Sequence, residues 1–190
     1  MPTIVETEVY TLDELEALGD DRAVDRALSE LVRMDDYLAC DGVSELLTET
    51  ADEAFGRANL VVERWDYYRA DLSISGTVSV DDARIMDDGV FADLSWPSPL
   101  IDSLTYRTPT ASGYGRVDRL WLYVTEDGPH WGSDEYDALC ELALDWLREV
   151  EARLTRLMVD EYDYLTSREY LFELARANEY TFTVDGRRFG

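Results

Sequence analysis

Lysine is absent from all 190 residues of this chain, so its 17 basic side chains are arginines. They face 42 Asp and Glu, which leaves a formal net charge of −25. A surface this negative repels nucleic acid and anionic membranes and attracts basic protein surfaces. The missing lysine also removes the residue that a phosphate-binding Walker loop requires, and no Gly-x-Gly-x-x-Gly opens a helix. Histidine is nearly absent too. His130 stands alone in a Gly-Pro-His-Trp-Gly turn, without the partner ligands of a metal site or the partners of a proton-transfer site. No Gly-x-Ser-x-Gly elbow is present to support a nucleophilic serine. The longest apolar runs, such as Leu120–Val124, are far too short to cross a bilayer. The N-terminus lacks the basic and apolar regions of a signal peptide. Two cysteines, Cys40 and Cys140, fall in helical patterns and read as buried thiols of a reducing, cytoplasmic environment; sequence alone does not decide whether they pair.

What is present is a folded acidic protein. Apolar residues make up 46% and aromatics 12%, which separates the chain from disordered acidic tails. One domain over 1–190 is the expectation, with an acidic helical part (1–56), a β-rich middle (57–127), and a long helix, short helix and final strand (128–190). Thr3–Val9 alternates as a short strand. Thr11-Leu-Asp-Glu14 is a capping box for a brief helix ending at Gly19. The next helix starts at Asp20 or Asp21, carries a stripe from Ala23 to Leu38 and should break at Asp41-Gly42; Ser44–Phe55 is a third helix. Leu60–Tyr67, Asp71–Val80, Gly89–Trp96 and Val117–Thr125 read as strands. Ser133 caps the longest helix, and Thr166-Ser-Arg-Glu169 is a second capping box. Tyr180–Val184 alternates as a last strand before the Asp185-Gly186 turn. The fold class is α+β: a mostly antiparallel sheet with helices before and after it packed on one face.

The segment Glu161-Tyr-Asp-Tyr-Leu-Thr-Ser-Arg-Glu-Tyr170 through Ala177-Asn-Glu-Tyr-Thr-Phe-Thr-Val-Asp-Gly-Arg187 resembles the C-terminal end of small phage and prophage proteins labelled antitoxin of a toxin–antitoxin stability system. The opening, Thr3 to Leu15, is similar to their start. The two ends span about a quarter of the chain. The resemblance implies a mobile-element origin and a binding role, and it carries over no functional residues.

Other motifs weigh less. Gly113-Tyr-Gly115 is a glycine pair rather than a phosphate loop. Asp81-Asp82 and Asp87-Asp88-Gly89 lack the ligand alternation of a calcium loop. Trp65-Asp-Tyr-Tyr-Arg69 mixes aromatics with arginine, but cross-strand packing explains it without nucleic acid. Arg116, Arg119, Arg187 and Arg188 form the basic clusters, expected to pair with local carboxylates. No catalytic residue, metal site or cofactor is expected.

The acidic helices remain. Residues 1–50 hold 14 acids and 3 Arg, whereas residues 151–190 hold 8 and 6. Carboxylates a helical turn apart match the roughly 7 Å between phosphates along a DNA strand. Asp21, Asp25, Asp35, Asp36, Asp41, Glu45 and Glu49 are the candidate acidic face. They point to a DNA or RNA charge mimic that inhibits a basic host protein or nucleoprotein complex of restriction or CRISPR type, with no direct nucleic-acid or membrane contact. Three rival expectations stand beside it: an antitoxin-like module binding through an apolar groove, an enzyme with an unrecognised carboxylate site, and a protein whose acidity adapts it to a salt-rich cytoplasm. Oligomeric state is left open.

Overall fold

A computed structural model describes residues 7–56, 59–81, 89–107 and 119–189, with the side chains of 35–39 and 119 outside the description. The chain is α+β, a four-stranded antiparallel sheet with helices before and after it. It divides into two compact units: unit 1 is Met1–Gly42 with Glu161–Gly190, and unit 2 is Val43–Asp160. Two long helices, α2 (Asp21–Phe55) and α3 (Asp134–Leu165), contribute residues to both.

In unit 1, α1 (Leu12–Ala17) has the expected cap: the Thr11 hydroxyl accepts from the Glu14 amide, and the Glu14 carboxylate accepts from the Thr11 amide. Asp20 caps α2 by accepting from the amides of Arg22 and Ala23 at 3.1 and 3.3 Å. Helix α4 (Arg168–Ala177) begins one residue later than the box at Thr166 suggested. Ser167 is its cap, accepting from the Tyr170 amide, while the Thr166 hydroxyl donates back to the Tyr162 carbonyl at 2.8 Å. The last strand is shorter than expected. β5 (Thr181–Phe182) pairs with β6 (Arg188–Phe189) as a separate two-stranded sheet around the Asp185-Gly186 turn. Most of the expected Thr3–Val9 strand lies outside the described residues; beside it, Tyr10 bridges Phe182 through hydrogen bonds of 2.8 and 2.7 Å. The core joins Leu12, Leu15, Val24, Ala27, Leu31, Leu171, Phe172 and Phe182. Gly186 (φ +80°) lies so near α2 that a Cβ there would stand 2.0 Å from the Ala23 carbonyl oxygen.

The expected break at Asp41-Gly42 does not occur, and α2 runs through it. A helix-interior glycine costs about 1 kcal/mol relative to alanine but does not by itself end a helix. Here Leu165 Cδ1 comes within 3.2 Å of where a Cβ would be, so the missing side chain is used for packing.

Unit 2 is built on the sheet β1 (Leu60–Asp66), β2 (Asp71–Ser79), β3 (Ile101–Arg107) and β4 (Arg119–Val124), each antiparallel to the next. One face is buried through Leu60, Leu72, Ile74, Val78, Ile101, Leu104, Tyr106 and Leu122. Helices cover that face: Trp65 Nε1 donates to Ser44 Oγ on α2 at 3.0 Å, and the Tyr106 hydroxyl donates to Glu151 on α3 at 3.3 Å. β3 has no counterpart among the expected strands. The ladder slips between Ile101 and Ser103, so the inward residues fall at 101, 104 and 106 and strict alternation is lost. Conversely, Gly89–Trp96 is not a strand. Gly89 (φ +76°) opens a single 3-10 turn to Phe91, whose ring packs edge-on against Phe55 at 5.2 Å. Trp146 completes that aromatic cluster, 6.1 Å from Phe55 and 5.3 Å from Trp96.

Candidate functional site

The seven candidate carboxylates all belong to α2, but they do not form one ladder. Asp21 and Asp25 are four residues apart in unit 1, about 6 Å along the axis and on one face, both exposed. Asp41 is also exposed, yet it follows Asp21 by twenty residues and at about 100° per residue is turned to the other side of the helix. Glu45 and Glu49 lie in unit 2. The side chains of Asp35 and Asp36 lie outside the described residues.

In unit 2 the buried stripe of α2 is Val43, Leu47, Ala51 and Ala54. Glu45 and Glu49 stand on the opposite side, and Glu53 continues their row at the same four-residue step. Glu53 extends the candidate site by one carboxylate, and its signal was simple periodicity. On α3, Asp134, Asp137 and Glu141 are likewise exposed at helical spacing.

Asp21, Asp25, Asp41, Glu45, Glu49 and Glu53 have no ion-pair partner among the described residues. The arginines of the described residues are mostly engaged elsewhere. Arg176 Nε bonds Asp13 at 2.8 Å, Arg168 bonds Glu16 at 2.8 Å, and Arg26 bonds Asp185 at 3.2 Å. Arg148 pairs with Asp145 at 2.8 Å, and Arg187 pairs with Asp185 at 3.1 Å. Arg188 stacks over the Tyr180 ring, 4.0 Å from its centroid. The Arg176 guanidinium holds the Asp13 carboxyl below its ordinary range. Asp185 is lowered as well, first by the hydroxyl of Thr183, which donates to it at 2.6 Å.

One cleft in unit 2, about 510 Å³, is lined by Val90, Asp93, Glu149, Arg153, Arg156, Leu157 and Asp160. Its floor is an ion-pair knot. Arg153 Nε donates to Glu149 at 2.9 Å, while Nη1 donates to the Val90 carbonyl at 2.8 Å and to Asp93. These bonds lower the Asp93 carboxyl and raise the Arg153 guanidinium. Arg156 reaches the same Glu149 at 3.5 Å. With its guanidinium directed at protein oxygens, Arg153 straps the Val90–Asp93 turn to α3 and has little left to offer an anion.

The remaining motifs are dispersed. His130 is exposed, and its carbonyl accepts from the Ser133 amide in the turn before α3. Among the described residues no group of three His, Cys, Asp or Glu is placed to hold a metal ion. Gly113-Tyr-Gly115, Arg116, Asp82 and Asp87-Asp88 lie outside the described residues. In the Trp65–Arg69 segment, Trp65 is tied to Ser44, and Asp66 accepts from the Arg69 amide in a tight turn. Cys40 and Cys140 are not joined in a disulfide and are half-buried rather than buried as expected, and burial pushes the Cys140 thiol up. Among the described residues no helix is long and apolar enough to cross a membrane.

Comparison with protein-family descriptions, with curated proteins and with solved structures yields no match to this chain.

Proposed function

We propose that this chain is a non-enzymatic binder of basic, nucleic-acid-handling proteins, in which exposed carboxylates on α2 take the place of phosphates. The observation that carries the reading is the division of labour among charges. Arginines neutralise Asp13, Glu16, Glu149 and Asp185, whereas Asp21, Asp25, Glu45, Glu49 and Glu53 have no ion-pair partner among the described residues. Within each unit, unpaired carboxylates stepped at about 6 Å along α2 offer a partner's Lys and Arg side chains a short regular set of anions. A partner that exchanges condensed counterions for them binds with steep salt dependence, as it would to DNA. Inhibition of a host restriction or CRISPR-type protein by a mobile-element protein acting in the cytoplasm fits this chemistry and the likeness of the chain ends to phage proteins.

The test is capture of partners from a host-cell lysate at low and moderate salt, with the wild type and with two neutralised variants, Asp21→Asn/Asp25→Asn and Glu45→Gln/Glu49→Gln/Glu53→Gln. A DNA- or RNA-processing protein that is retained at low salt, released at moderate salt and weakened in at least one variant supports the reading. Capture indifferent to both salt and substitution overturns it.

A second reading has its own observation. The surplus charge is spread through both units, 18 acids against 7 Arg in unit 1 and 24 against 10 in unit 2. Such a spread is what adaptation to a salt-rich cytoplasm produces, and it requires no partner. A cooperative melt in dilute buffer, where repulsion among the surplus charges is least screened, counts against that reading. Unfolding there with recovery in concentrated salt favours it.

A further inference from the structure

Unit 2 exposes a second surface whose chemistry differs from that of α2. The face of the β1–β4 sheet opposite the buried one carries Trp121 and Tyr123 on β4, 53% and 58% exposed. The register sets Trp121 beside Thr105 and Thr105 beside Thr77; the next row is Tyr123, Ser103 and Ser79. The Thr77 and Thr105 hydroxyls bond each other at 2.8 Å, which fixes both on this face. These two rows hold six residues without a charge, in a chain where 31% of residues are charged. The rim is charged: Glu63 accepts from Ser75 at 2.7 Å and pairs with Arg107 at 3.9 Å.

Rigid aromatics among small polar side chains, with a charged rim, are the anatomy of a protein-binding surface rather than of an inert exterior. Charge decides the occupant. Unit 2 carries a net −14, so a second copy of this chain is repelled, as are nucleic acid and anionic membrane. The complementary group is the guanidinium. It stacks flat on indole and phenol rings and directs its N–H fork towards neighbouring hydroxyl oxygens, which the compact, strongly hydrated ammonium of lysine does less well.

We propose that the open sheet face centred on Trp121 and Tyr123 docks an arginine-bearing segment of a basic protein partner; the proposal rests on the reading of the chain as a binder of such proteins. The two surfaces divide the work. The α2 carboxylates attract at long range and give binding its salt dependence. The sheet face holds at short range, tolerates salt and prefers arginine to lysine.

The experiment uses the full chain and two labelled probes, nona-arginine and nona-lysine, titrated by fluorescence anisotropy. Salt is set at about 0.05 M and about 0.5 M, the latter reducing the screening length to a few Å. The wild type is expected to bind both peptides at low salt and to keep about a tenfold preference for nona-arginine at high salt. Trp121→Ala/Tyr123→Ala is expected to abolish that preference while changing low-salt affinity less than about threefold, and Trp121→Tyr to retain it. Both side chains are exposed, so a matching thermal melt certifies the fold of the variant. An arginine preference that survives the double alanine variant, or a wild type with no preference at high salt, overturns the sheet-face proposal alone. A wild type that binds neither peptide at low salt overturns the basic-partner reading, and the sheet-face proposal falls with it.

Discussion

Unit 1 and unit 2 use their few cations in different ways. In unit 1 the arginines join segments remote in sequence: Arg176 to Asp13, Arg168 to Glu16 and Arg26 to Asp185, with separations of 163, 152 and 159 residues. In unit 2 several pairs are local, such as Arg148–Asp145 and Arg153–Glu149; Arg153 also reaches Asp93, 60 residues away, but there the sheet ladder and an aromatic cluster join distant segments as well. The difference follows from topology. Unit 1 is made from the two ends of the chain, and among the described residues its backbone ladder joins them through the single Tyr10–Phe182 bridge. Exposed ion pairs each contribute little to stability, so these fix which turn of α1 meets which turn of α4. The apolar residues beneath, Leu12, Leu15, Leu171 and Phe172, supply the stability. In unit 1, three arginines thus bridge the chain ends where the backbone supplies a single bridge.

The hardest test of that comparison removes the apolar centre of each unit. Phe182 and Phe55 are both fully buried, and either Phe→Ala change is expected to cost about 3–5 kcal/mol. Hydrogen exchange separates the effects. Phe182→Ala should speed exchange first in the α1 and α4 amides, and Phe55→Ala first in the β1–β4 amides. Equal acceleration in both sets with either change would mean that the two units open together. The next effect is Gly186→Ala. A Cβ 2.0 Å from the Ala23 carbonyl oxygen, at φ +80°, combines a backbone clash with left-handed strain. A loss of about 2–4 kcal/mol, read by denaturant unfolding, is expected. A neutral result would show that the hairpin turn can lift away from α2 without consequence for unit 1.

The sequence shows most clearly what rests on local rules. The Thr11 box, the Asp185-Gly186 turn, the amphipathic stripes and the strands β1, β2 and β4 all follow from spacing within a few residues. The failures share a cause, since each depends on a partner distant in sequence. Asp41-Gly42 reads as a break until Leu165 is seen to fill the space beside Gly42. β3 hides because its bulge shifts the apolar positions out of step, and only pairing with β4 restores the pattern. Gly89–Trp96 has strand-like composition, but Phe91 is drawn into the Phe55 cluster and no strand among the described residues pairs with the segment. The acidic residues were legible as a helical face in short stretches only. Periodicity unites Glu45 and Glu49 and adds Glu53, yet over twenty residues it turns Asp41 away from Asp21. The open face with Trp121 and Tyr123 was not legible, because exposure of an aromatic strand residue depends on which face the helices cover.

Two smaller perturbations sharpen the contrast between packing and charge in unit 1. Thr11→Ala deletes the hydroxyl that accepts from Glu14 and is expected to cost about 1 kcal/mol, visible as a lower melting temperature. Asp13→Asn is expected to do less at neutral pH, because its bond to Arg176 is half-exposed and screened by solvent. Its signature lies in the pH dependence. The Asp13 carboxyl is lowered by Arg176, so its contribution is fully present above the unfolded value of about 4 and is lost as pH falls through the lower folded value. The asparagine substitution cannot titrate, so protection of the α1 and α4 amides, measured against their intrinsic exchange rates at each pH, should fall less on acidification than in the wild type. Asp185, lowered in the same direction, keeps some acid sensitivity in the variant. If the two acid limbs superimpose, the Asp13–Arg176 bond does not align the ends of the chain, and the core residues beneath it set that register by shape alone.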